Sequence, residues 1–325
     1  MAGNRPTDRL KGETVSTADD LRAALVAANP ALSRFNPLPR ILAYNDFAAG
    51  LGGWCQLIGN HRGGDLATVQ PSKRDLRPPQ LSNLSFFDIG THGAMSGAYA
   101  MKLATRPTPN NFAVGIKRLT ATRPGRVRFE TYFTFKSEAT FGAADVASEE
   151  WDGNSDPSEW LFGDFTISND VKLPGRPRFL LALRYVNTDA AGNRVQRWMS
   201  KTTVHPTTKM QLTGEATDAG GFDLHTLNPA DWTPVPDGEQ PLCYNEVPTK
   251  INWHYLCWTF DTEGGRNVSL QVNDRVMHLS DLPVPRYDHD YTGLDGLLNF
   301  LLDVRTHRNV RNMLWVDATL ISVDW

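Results

Sequence analysis

Val127-Arg128-Phe129-Glu130-Thr131-Tyr132-Phe133-Thr134-Phe135-Lys136 is the stretch that decides the fold. Val127, Phe129, Thr131, Phe133 and Phe135 fall on one side of a period of two, and Arg128, Glu130, Tyr132 and Thr134 on the other. Successive side chains of a strand point to opposite faces, so the run reads as a strand with one dry and one polar face. Residues 268–273 repeat the pattern, with Val268, Leu270 and Val272 opposing Ser269, Gln271 and Asn273. Two antiparallel sheets packed face to face require strands of this kind.

Outward from that strand, short apolar runs recur between turn residues. The pattern predicts strands at 41–47, 82–89, 98–104, 113–119, 160–168, 179–186, 195–203, 253–261, 297–303 and 313–323. Arg123-Pro124-Gly125, Ala190-Ala191-Gly192-Asn193 and Glu263-Gly264-Gly265 supply turn chemistry between them. Without interleaved helices, so many strands point to an all-β, two-sheet antiparallel sandwich of the jelly-roll kind. One helix is expected ahead of them. Ser16 and Thr17 precede an acid-bearing first turn, Leu21, Ala24, Leu25 and Ala28 follow at helical spacing, and Asn29-Pro30 ends the run. The chain thus divides into an arm with a short helix, residues 1–39, and one sandwich domain, residues 40–325. Residues 141–159 and 206–248 read as long loops over the sandwich.

Composition narrows the function. A formal net charge of −3 and scattered Lys and Arg give no electrostatic reason to bind nucleic acid or an anionic membrane. No run of apolar residues is long enough to span a bilayer, and the first residues lack the apolar core of a secretory signal. Cys55, Cys243 and Cys257 are odd in number and lack CxxC spacing, as expected of free thiols in a reducing compartment. A cytoplasmic location is the corresponding expectation.

Four segments carry a family resemblance. Tyr44-Asn45-Asp46-Phe47 with Gly50-Leu51-Gly52-Gly53-Trp54 resembles the opening strand and turn of bacterial sugar-binding jelly rolls. Ser96-Gly97-Ala98-Tyr99-Ala100-Met101-Lys102-Leu103 is similar to their second strand. Trp253–Asp261 with Val268–Asp274 looks like a laminin-G-type hairpin, and Val316–Val323 resembles the closing strand. Their order resembles the concanavalin A-like lectin/glucanase superfamily. That resemblance implies the sandwich and a carbohydrate-type ligand, bound or cleaved, while the E-x-D-x-x-E strand of bacterial glucanases is absent from the sequence.

The candidate site is the polar face of the central strands. Arg128, Glu130 and Tyr132 share one strand face, Trp160, Asp164 and Thr166 the next, Arg184 alternates outward, and Gln196 shares a face with Trp198. Aromatic faces take the C–H faces of a pyranose, and carboxylates with Arg take its hydroxyls. Glu130 and Asp164 are the nominated carboxyl pair for glycoside cleavage, with Glu130 as the acid. Arg128, Tyr132, Trp151, Arg184, Gln196 and Trp198 are the nominated ligand contacts. The plain alternative is a solvated face of cross-strand ion pairs, Glu130 with Arg184 and Asp164 with Arg128. In similar sugar-binding jelly rolls the terminal strands pair, which implies that Asp46 and Asp317 meet and, with carbonyls near Ser96-Gly97, hold a structural calcium. The histidines lack zinc spacing, and no Ser or Cys nucleophile motif stands out. The expected partner is a small saccharide or glycoside. A glycoside hydrolase or lyase on the same face, and a homo-oligomeric interaction protein using the arm, are the alternatives.

Overall fold

A computed structural model of the protein describes residues 18–56, 76–82, 94–138, 157–203, 229–244, 251–287 and 295–325. The chain opens with helix α1 (Ala18–Ala28), followed by a short 3-10 turn at Pro30–Arg34 that Asn29 caps through its side chain. The first strands are β1 (Arg40–Asn45), β2 (Trp54–Gln56), β3 (Gln80–Ser82), β4 (Ala100–Ala104) and β5 (Phe112–Thr120). Next come β6 (Arg126–Ser137), β7 (Asp164–Lys172), β8 (Arg178–Thr188), β9 (Arg194–Lys201) and β10 (Trp232–Glu239). The chain closes with β11 (His254–Asp261), β12 (Arg266–Val272), β13 (Arg275–His278), β14 (Arg286–Tyr287), β15 (Leu297–Arg305) and β16 (Asn312–Val323).

These strands form two antiparallel sheets, so the chain is an all-β sandwich as its alternation predicts. The first sheet runs β13-β12-β11-β6-β16-β4-β3, with β1 also paired to β16. The second runs β10-β9-β8-β7-β15-β5-β2, with β14 added beside β8. Phe129, Phe133 and Phe135 of β6 face the gap between the sheets and meet Phe165, Tyr185, Trp258 and Phe300 there. Burial of such a core is the main term that holds the two layers together.

Two local features decide what lies outside the core. Consecutive strands β6 and β7 belong to different sheets, so the chain crosses the sandwich between them. In β16, Ala318 has φ 55° and is the extra residue where Asp317 and Thr319 pair with Tyr132 and Thr131. Such a bulge re-aims neighbouring side chains. Here Ala318 and Leu320 join Leu32 and Phe35 of the arm in a small apolar cluster on the outside of the first sheet, with Val26 of α1 packed against it.

Strand 10 differs from the sequence-based expectation of a loop across 206–248. Its Thr233-Pro234-Val235-Pro236 run carries prolines, yet it pairs with β9 at the sheet edge, where a missing N–H is tolerated. Most of the expected loop 141–159 lies outside the described residues, and residues 157–161 form a 3-10 turn.

Candidate functional site

On the outer side of the first sheet stand Arg128, Glu130 and Tyr132 of β6. The residues between them point into the core, so the sequence alternation is realised there. This face is not open, because the arm lies on it. Asn36 donates its backbone N–H to Glu130 Oε1 at 2.7 Å, and Arg128 donates to the Asn36 carbonyl. Tyr132 donates its hydroxyl to the Arg34 carbonyl at 3.2 Å. Phe35 packs edge-on against Tyr132 at 5.8 Å and against Tyr44 at 6.3 Å. Tyr255 of β11 donates to Glu130 Oε1 at 2.6 Å. Burial, with Cys257 and Glu130 beside it, pushes the Tyr255 phenol up, so the group stays a donor. Cys257 itself is pushed up to about 11, first by burial and then by Glu130, which makes it an inert thiol buried on this outer side.

The outer side of the second sheet is the other candidate. Phe165, Ile167 and Val171 of β7 enter the core, which turns Asp164, Thr166, Ser168 and Asp170 outward. Strand pairing sets Arg305, Asp164 and Val186 in one row, and Asp303, Thr166, Arg184 and Met199 in the next. The Arg184 terminal nitrogen and His307 Nε2 each stand 2.7 Å from Asp164 Oδ2. Asp164 and Arg184 are 0% and 8% exposed, so the pair lies deep. Burial works to raise the Asp164 pKa; Arg184, His307 and Arg305 outweigh it and hold the carboxyl well below the ordinary range. Further along the face, Arg178 grips Asp170 through two bonds of 2.7 and 2.8 Å, and Lys201 meets Asp231 at 3.1 Å. Trp232 of β10 lies under both Arg184 (5.6 Å) and Lys201 (5.4 Å). Gly163 lets the chain pass close to the cluster, since a Cβ there would stand 2.8 Å from His307 and 2.9 Å from the Arg305 carbonyl.

Several expectations need correction. Glu130 and Asp164 lie on the outer faces of different sheets, because the chain changes sheet between β6 and β7, so they cannot flank one glycosidic bond. The expected ion pairs also change partners: Arg184 pairs with Asp164, while Arg128 bonds Thr259 Oγ1 at 3.2 Å and the arm. Trp198 is fully buried against Phe165 and Tyr185, and its indole N–H goes to Gln240 at 3.2 Å, so it is a core residue, not a stacking platform. Gln196 sits at a bulge with φ 46° and donates to Glu159 Oε1 at 3.0 Å. Trp160 belongs to the 3-10 turn before β7, not to the strand, and its ring lies 5.3 Å from Arg194. Trp151 lies outside the described residues.

Asp46 and Asp317 do come together, since β1 pairs with β16 at Asn45 and Thr319. Burial raises the Asp317 pKa, and the Asp46 charge adds to the rise. Asp317 Oδ2 accepts the Ser96 N–H at 3.0 Å, so Ser96 presents its amide here and not its carbonyl. Arg34, bonded to Ser96 Oγ at 2.6 Å, already brings positive charge to this corner. Among the described residues no group of three or more His, Cys, Asp or Glu converges. Among the described residues the donors at this corner fall short of the six to eight oxygens calcium takes.

Asp303, Arg305, His307, Trp232 and the Asp170–Arg178 pair are not marked by any motif in the sequence. The signal for β7 was present in Asp164-Phe165-Thr166-Ile167-Ser168-Asn169-Asp170, whose odd and even positions separate cleanly into apolar and polar as far as Ser168.

No curated protein matches the sequence. Among solved structures, the chain is similar to a Bacillus licheniformis beta-glucanase at 11% identity and TM-score 0.37, covering 86% of this chain and 97% of that one. A Bacteroides ovatus mixed-linkage glucan GH16 protein gives 9% identity and TM-score 0.39, over 86% and 100%. The Emp47p carbohydrate recognition domain gives 11% and 0.37, over 84% and 96%. Likenesses this distant carry no argument about activity. The family model for the domain of unknown function DUF6772 matches residues 22–325, which is nearly the whole sandwich and its arm, and the chain belongs to that family.

Proposed function

We propose that the protein binds a saccharide, and that its ligand surface is the outer face of the second sheet, centred on Asp164 and Arg184. The observation that carries this reading is a set of buried charged and polar atoms left without partners on the outer side of the second sheet. Placing carboxylates and guanidinium groups out of water is costly unless every atom is partnered. Here Asp164 Oδ1, Arg184 Nε and Ser168 Oγ are buried without a hydrogen-bond partner among the described residues. Such atoms mark positions that a ligand's polar groups can satisfy. The buried Trp232 ring packs beside them, between Arg184 and Lys201. The face of Arg128, Glu130 and Tyr132 has similar chemistry but already holds the arm. With the Glu130–Asp164 pair split between sheets, recognition without cleavage is the reading these residues support.

Titration of isotope-labelled full-length protein with neutral oligosaccharides tests this. The Trp232 indole N–H signal is expected to shift, while those of Trp258 (bonded to Asn267 at 3.0 Å) and Trp315 (bonded to Ser82 at 3.2 Å) stay in place. Shifts confined to Tyr132 and Tyr255, or none at millimolar ligand, would overturn the assignment.

A further inference from the structure

The two Arg–Asp pairs on the second sheet's outer face are built differently. Arg178 and Asp170 form a closed fork, Nε to Oδ1 and the terminal nitrogen to Oδ2, which uses both oxygens. Arg184 and Asp164 meet through one bond only, the terminal nitrogen to Oδ2 at 2.7 Å. His307 stands 2.7 Å from that same oxygen. Both partners therefore converge on Oδ2, and Oδ1 and Arg184 Nε remain buried and unsatisfied. Gly163 contributes to this asymmetry, since its missing Cβ leaves His307 the room it occupies beside Asp164.

We infer that the ligand is an uncharged saccharide presenting two adjacent free hydroxyls, one donating to Asp164 Oδ1 and its neighbour accepting from Arg184 Nε. The inference rests on the saccharide reading above and deepens it. An acceptor and a donor on two side chains already bonded to each other match the two roles that neighbouring hydroxyls play. Charge decides against an acidic ligand. Arg184, Arg178, Lys201 and Lys172 are matched by Asp164, Asp170, Asp231 and Asp295. Arg305, which also faces Asp164, has Asp303 on its own strand one pleat away. An anionic sugar would set its charge against the ionised Asp164 in a poorly solvated place.

The test uses labelled full-length protein on an array of three glycan sets: neutral glycans with adjacent free hydroxyls, the same glycans deoxygenated at one of the two positions, and uronic acid or sulfated glycans. The first set is expected to bind, with at least about tenfold weaker binding for the deoxygenated set, as for loss of a hydrogen bond to a charged group. Acidic glycans are expected to bind more weakly still. Retention of acidic glycans alone, or indifference to deoxygenation, overturns the diol inference and leaves saccharide binding standing. Retention of none overturns both. Arg184→Lys keeps the charge beside Asp164 and removes Nε, and it is expected to lower affinity for the first set about tenfold; unchanged affinity in a folded variant overturns the inference. If that variant does not fold, the array result on the native chain still decides.

Discussion

The two outer faces of the sandwich carry the same kinds of side chain and use them differently. On the first sheet, Arg128, Glu130 and Tyr132 bond the backbone of residues 34 and 36, so the polar face holds the chain's own arm. On the second sheet, Arg184 bonds Asp164 and His307 stands beside the same carboxylate oxygen, and Asp164 Oδ1 and Arg184 Nε are left over. The difference teaches that residue type does not mark a ligand surface; the two faces differ in that the chain's own arm is seated on the first.

The largest expected effects test whether the second face is a network in which charges depend on each other. Asp170→Ala leaves the Arg178 guanidinium buried without its fork, and a loss of about 3–5 kcal/mol in urea unfolding is expected. Trp198→Ala removes a fully buried ring from the core, with a loss of about 3–5 kcal/mol. Its effect is on folding; a selective loss of ligand from a stably folded Trp198→Ala protein would break the assignment of that residue to the core. On the first sheet the matching change is Phe35→Ala. It is expected to cost about 3 kcal/mol of arm docking, read as faster hydrogen exchange over residues 30–36, with the strands of the second sheet unaffected. Exchange rising equally in both sheets would erase the distinction between the faces.

How much of this the sequence discloses depends on whether a feature is local. The alternation in residues 127–136 assigned Val127, Phe129, Phe133 and Phe135 to the core and Arg128, Glu130 and Tyr132 to the outside correctly, because the pleat is a property of one strand. It could not say which sheet a strand joins, and the Glu130–Asp164 pair fails on that point alone. Strand 10 was hidden by its prolines, which forbid a central strand but not the edge position it occupies. Trp232 was lost with it. Trp198 misled because an aromatic near a polar run reads the same whether its strand turns it inward or outward. Arg305 and His307 reach Asp164 across more than a hundred residues, and no spacing rule encodes that approach.

Acid separates the faces further, through two aspartates shifted in opposite directions. Asp164 has a folded pKa below its unfolded value of about 3.9. Its contribution to stability is therefore fully present above that unfolded value and is lost as pH falls toward the folded one. The stability gap between wild type and Asp164→Asn should be widest at neutral pH and shrink in acid, as followed by urea midpoints between pH 7 and pH 2. A gap independent of pH would show that packing, not charge, fixes Asp164.

Asp317 on the first sheet is expected to give the smallest effect and the reverse sign. Its folded pKa is raised, by burial first and then by Asp46, so the folded state holds the proton more tightly than the unfolded chain does. Ionising it counts against the fold, and the penalty grows as pH rises from the unfolded pKa through the folded one. Asp317→Asn keeps an oxygen for the Ser96 amide and removes the charge. A slight gain in urea midpoint at pH 7, absent at pH 3, is expected. If Asp317→Asn instead destabilises at pH 7 as Asp164→Asn does, the corner by Arg34 depends on a carboxylate, and the arm is held by charge as well as by the Phe35 cluster.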